Sequence, residues 1–184
     1  MPTLNDSPRC AHALLLGLWL PLVAAAGDVA DPCAGFTWSV THERALFSAK
    51  GEPLTAGTDE VHSPALVPDR LYELRLSPVS QVSFAVAPGR HPAAANAYGG
   101  LATLTLTQAG VYRISLDQPL WVDVLSNGAA IRSRDFQGSH GCNAPHKIVE
   151  FVLPAAHLTL QFSGDAASTV RVAVSRPAET APAR

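Results

Sequence analysis

Residues 98–133 read YGGLATLTLTQAGVYRISLDQPLWVDVLSNGAAIRS, and this stretch decides the fold. Leu101-Ala102-Thr103-Leu104-Thr105-Leu106, Val111-Tyr112-Arg113-Ile114-Ser115-Leu116 and Trp121-Val122-Asp123-Val124-Leu125 alternate apolar with small or polar side chains. Successive side chains of a strand point to opposite faces, so this period of two marks half-buried strands. Gln108-Ala109-Gly110 and Gln118-Pro119 interrupt the runs. Ser126-Asn127-Gly128 divides the third run from Ala130-Ile131-Arg132-Ser133. Asn-Gly between two such runs signals a hairpin, because both residues tolerate positive φ.

The same rhythm extends outward. Residues 148–153, 158–162 and 170–174 read as strands, the last two forming a pair around Gly164-Asp165. On the N-terminal side, Leu71-Tyr72-Glu73-Leu74-Arg75-Leu76, Val82-Ser83-Phe84-Ala85-Val86 and Phe36-Thr37-Trp38-Ser39-Val40 read the same way. Residues 42–50 have room for one or two helical turns ended by Gly51. Residues 52–68, rich in Pro, Gly, Thr and Asp, read as a surface loop or weak edge strand, and 136–145 as a loop. About nine strands with frequent turn signals, and little room for βαβ crossovers, give an all-β class. The expectation is a single antiparallel β-sandwich of jelly-roll or Greek-key type over 27–176, with a flexible tail over 177–184.

The first 26 residues have the layout of a cleaved secretory signal peptide. Arg9 and His12 precede the apolar run 13–23, which ends in Ala24-Ala25-Ala26. The run is too short to span a bilayer comfortably and carries Pro21; the alternative is an uncleaved interfacial anchor. Cys10 lies before the run, whereas a lipidated cysteine would follow it. The leader takes one arginine and one aspartate with it, so the net charge stays at −2. No basic excess is available to attract nucleic acid or anionic lipid. With 47% hydrophobic and 15% charged residues the chain can build a packed core, and disorder is not expected. Cys33 and Cys142 remain after cleavage, and two cysteines in an exported chain most simply form one disulfide. It would close a loop of about 110 residues, for which chain entropy gives at most roughly 4 to 5 kcal/mol.

His140-Gly141-Cys142-Asn143-Ala144-Pro145-His146 is the one cluster with ligand chemistry. A thiolate flanked by imidazoles suits copper or zinc. A disulfide would withdraw Cys142, and a three-ligand zinc site would then need a partner such as His42 or Glu43. His140 and His146 are therefore the candidate metal ligands, against the alternative of a disulfide loop with solvated histidines. His42-Glu43 reads either as an acid/base pair or as a solvated turn. His62, His91 and His157 are isolated in or beside turns. No Gly-x-Ser-x-Gly elbow is present. Trp121 and Asp123 share one face of a strand, where an inward Asp123 would need Arg113 or Arg132 as a partner. The alternative is a core or rim Trp121 with Asp123 in solvent. Tyr98, Trp121 and Phe136 can line a shallow apolar groove, which makes Tyr98, Trp121 and Asp123 the candidate ligand-binding residues.

Tyr98-Gly99-Gly100-Leu101, Ala109 through Leu116, Trp121-Val122-Asp123-Val124, Gly141-Cys142, Glu150-Phe151 and Leu160-Gln161-Phe162-Ser163-Gly164 resemble a family of small secreted bacterial proteins. In the N-terminal half the resemblance extends only to Phe36-Thr37-Trp38 and Glu43. It implies a single β-sandwich behind a signal peptide, with no established activity. Some members carry an automatic label of homogentisate 1,2-dioxygenase. Such an oxygenase needs two histidines and a carboxylate on one face, and no compact cupin His-x-His motif occurs here. The rhythm from Gly110 onward also resembles bacterial pre-peptidase C-terminal domains, secreted jelly-roll modules that bind surfaces or polymers.

The leading expectation is a periplasmic or secreted, non-enzymatic binding or accessory protein without a cofactor. Its partner would be an envelope protein or polymer, not nucleic acid, and its mature chain would have no membrane span. The alternatives are a metal-binding protein using copper, zinc or iron at the 140–146 loop, or a dioxygenase.

Overall fold

The structure is a computed structural model, and it describes residues 31–90, 96–165 and 168–177. The segment 1–26 expected as a signal peptide, and all of the expected tail but Pro177, lie outside the described residues. The described chain forms twelve strands and one short helix α1 (Thr41–Phe47). The strands are β1 (Glu52–Thr55), β2 (Ala65–Leu66), β3 (Leu71–Arg75), β4 (Ser77–Pro78), β5 (Tyr98–Thr105) and β6 (Gly110–Leu116). They continue with β7 (Trp121–Ser126), β8 (Ala129–Ile131), β9 (Asp135–Gly138), β10 (Lys147–Leu153), β11 (His157–Gly164) and β12 (Thr169–Ser175).

Two sheets pack face to face. Sheet I has the order β1-β3-β12-β6-β10-β9, and sheet II the order β2-β5-β11-β7-β8, with β4 also on β5. Consecutive strands mostly change sheet: β5, β6 and β7 alternate between the two, and so do β10, β11 and β12. This wrapping is that of a jelly roll. It corrects the pairing expected for 158–162 and 170–174, because β11 and β12 lie in opposite sheets. The tight hairpin is β7–β8, where Asn127 (φ 50°) and Gly128 (φ 74°) make the turn.

The sandwich is not wholly antiparallel. β1 pairs with β3, and β2 with β5, in parallel. Each partner is reached by crossing to the other sheet and back, so two reversals restore the original direction. The core lies between the sheets. Leu74, Leu104, Ile114, Val124, Leu160 and Phe162 are fully buried there, each on the inward parity of its strand.

Two expected strands are absent. Residues 36–40 and 82–86 cross the outer faces of the sheets as straps. The N–H groups of Thr37 and Trp38 both donate to the side-chain Oε1 of Gln137 on β9, at 2.9 and 3.3 Å. Val86 exchanges both backbone hydrogen bonds with the Gln161 amide of β11, at 3.1 and 3.2 Å. In each case a glutamine side chain supplies what a neighbouring strand would, so alternation is present without a ladder. The 136–145 segment, expected as a loop, begins instead with β9 on the edge of sheet I.

The straps also bury polar side chains on the outer faces. Cys33 and Cys142 are joined by a disulfide across 109 residues, which pins the first strap to the loop between β9 and β10. Asp31 accepts from the Cys33 N–H at 2.9 Å and from Arg44. Those two donors hold its carboxyl below the usual carboxylate range, the backbone N–H first. Behind the strap, Phe47 of α1 packs on Leu71 and Ala173, and the Arg171 guanidinium lies 5.2 Å from the Phe47 ring centroid.

Candidate functional site

The sandwich is open along one edge. Phe136 of β9 pairs with Val149 of β10, so both share the inward face of sheet I. Phe136 is nevertheless 67% exposed, because no part of sheet II covers it. Between this edge and the β7–β8 hairpin lies a cavity of about 520 Å³. Its apolar wall is made by Val122, Ile131, Phe136, Val149 and Phe151. Its polar wall is made by Arg90, Asp123, Arg132 and Lys147, with Trp121 beside them.

Lys147 is the unusual member. On β10 the residues 149, 151 and 153 face the core, and Lys147 continues that parity at the strand's open end. Its ammonium donates to the Leu120 carbonyl at 2.9 Å and stands 5.3 Å from the Trp121 ring centroid. Burial lowers its pKa from the ordinary lysine value, and the nearby Arg90 adds to the shift. The chain has two lysines, and this one is turned into the cavity.

Asp123 is held by its neighbours. The indole N–H of Trp121 donates to its Oδ1 at 2.8 Å, and the Gly89 N–H to its Oδ2 at 3.1 Å. A Cβ on Gly89 would stand 2.9 Å from Asp123 Oδ1 and 3.0 Å from Trp121 Nε1, so glycine permits this approach. Arg113, considered as its partner from the sequence, sits on the outer face of sheet I instead.

There Arg113 donates to Glu43 Oε1 at 3.1 Å, to Glu150 Oε2 at 3.2 Å and to the Ser39 carbonyl at 2.9 Å. Its guanidinium lies 4.6 Å from the Trp38 ring centroid. Glu43 is buried under the first strap, not solvated, while its neighbour His42 meets Asp69 at the surface at 2.7 Å. His42 and Glu43 therefore do not act on a common atom. Glu43 Oε2 and Ser115 Oγ are buried without a hydrogen-bond partner.

Of the expected ligand residues, the structure brings Trp121 and Asp123 together with Phe136. Tyr98 is on β5, two strands from β7, and does not line the cavity. His140 and His146 do meet, edge to face with ring centroids 6.2 Å apart. The Cys142 sulfur is committed to the disulfide, and His146 Nδ1 lies 3.1 Å from the Cys142 carbonyl oxygen. Among the described residues no group of three or more His, Cys, Asp or Glu converges on a common point. The two-histidine, one-carboxylate set of a non-haem oxygenase is thus not assembled among them. His62 pairs with Asp59 and His157 with Thr105 at the surface, and His91 lies outside the described residues.

Lys147 and Arg90 were not singled out in the sequence. For Lys147 a signal existed: counting back by twos from Leu153 places it on the core face. For Arg90 none did, since it stands in a loop whose course depends on sheet II. No protein-family model, curated protein or solved structure matches this chain. Among the described residues no helix is long and apolar enough to cross a membrane.

Proposed function

We propose that this chain is an exported, non-enzymatic binding or accessory protein of a bacterial cell envelope, and that its working part is the cavity at the open sandwich edge. One observation carries the reading: a concave, largely apolar volume of about 520 Å³ with a few polar groups at its wall. That is the size and character of a small-molecule site. Its polar wall is made mostly of charged side chains rather than histidine or cysteine among the described residues. The disulfide is compatible with an oxidising compartment, and the leader-like N-terminus with export. The resemblance to small secreted bacterial sandwich proteins points the same way.

Native mass spectrometry of protein recovered from a bacterial periplasm tests this. The expected species begins at Gly27, is two hydrogens light and releases a non-covalently held organic molecule on collisional activation. A chain carrying one metal ion with both thiols intact would overturn the reading and move attention to His140 and His146.

A further inference from the structure

The cavity's charge is unbalanced. Arg90, Arg132 and Lys147 reach its wall, against the single acid Asp123. Both oxygens of Asp123 already accept hydrogen bonds, from the Trp121 indole and the Gly89 N–H. None of the three cations forms an ion pair with a carboxylate among the described residues. Elsewhere the protein pairs its partly buried cations with care. Arg113 has Glu43 and Glu150, and Arg171 has Asp117. A lysine turned inward with one carbonyl partner is costly unless something anionic joins it. Its ammonium has two further protons to donate.

We infer that the cavity binds an organic monoanion, a carboxylate on an apolar body, with the carboxylate at Lys147, Arg132 and Arg90 and the body along Phe136, Val149 and Phe151. This rests on the reading of the cavity as a ligand site and adds the class of ligand. Charge-assisted hydrogen bonds to such a carboxylate are stronger than neutral ones, and the partly desolvated position of Lys147 strengthens them further. An alcohol of the same length would fill the apolar part and leave the cations unmatched.

The test uses the exported, oxidised protein with the uncharged dye Nile red as reporter. Laurate, phenylbutyrate and dodecanol compete in separate titrations. The expected result is displacement by laurate or phenylbutyrate at concentrations at least about tenfold below those needed for dodecanol. Which acid wins tells whether the body is a chain or a ring. Lys147→Met and the solvent-exposed Arg132→Gln should each weaken the winning acid about tenfold more than they weaken dodecanol. Arg132 is solvent-exposed, so that variant reads out even if Lys147→Met is poorly folded. Equal potency of dodecanol and laurate would overturn the anion inference while leaving the cavity a binding site. Failure of the dye and of all three competitors to bind would overturn both.

Discussion

Arg113 stands between Glu43 and Glu150 under the first strap, and among the described residues its guanidinium is the only charge compensating either from within the sheet. Arg134 reaches Glu150 at 3.6 Å from a more exposed position. Arg113→Met would leave buried Glu43 without its cation and Glu150 with only the more exposed Arg134. The expected loss is about 3–5 kcal/mol, measured by urea denaturation. Lys147 presents the opposite case, a half-buried cation whose removal relieves a cost. Its folded pKa lies below its unfolded one, so between the two values the unfolded chain holds more protons. Stability should therefore rise with pH across that alkaline window, and below it the cost is fully present. Arg90, Arg132 and Asp123 line the same cavity as this ammonium. Affinity for an organic anion should move oppositely, falling over the same window as the ammonium is lost. Lys147→Arg should flatten that fall, because arginine stays charged. Denaturation midpoints and binding constants measured side by side from pH 7 upward would check both signs.

At the scale of elements, the first strap and α1 are held by side chains and one covalent bond rather than by a ladder. Gln137 holds its backbone and Phe47 anchors its far end. The double variant Cys33→Ser, Cys142→Ser should lose at most about 4–5 kcal/mol. The more telling measurement is hydrogen exchange. Amides of 32–47 should lose protection first, while those of β6, β10 and β12 keep theirs, since the sheet ladder stays closed. Protection lost uniformly across sheet I would mean that the strap is part of the same cooperative unit.

For the whole molecule, stability and recognition sit on the same inter-sheet space but at different ends. Phe162 is fully buried between the sheets, whereas Phe136 shares the inward parity yet looks into the open edge. Phe162→Ala should cost about 3–5 kcal/mol. Phe136→Ala should change stability by no more than about 0.5 kcal/mol while weakening apolar ligands. Thermal or chemical denaturation alongside dye binding separates the two. A large stability loss for Phe136→Ala would show that the edge is closed in solution.

Strand parity and turn chemistry are local, and both are legible in the chain by itself. The alternation over 101–106, 111–116 and 121–125, with Asn127-Gly128, establishes an all-β sandwich without further information. Two cysteines beyond a leader-like start point to one disulfide, and the structure contains it. Alternation says only that a segment has two unlike faces, not what covers each of them. Whether 36–40 and 82–86 join a ladder or lie across a sheet depended on Gln137 and Gln161, each some 75 to 100 residues away. The cavity has the same origin. Arg90 comes from a strap, Asp123 and Arg132 from the β7–β8 hairpin region, and Lys147 from the far sheet. They meet because the packing of the two sheets brings the β7–β8 hairpin, β10 and the segment at Arg90 to one place, and packing between layers is a property that no single strand carries.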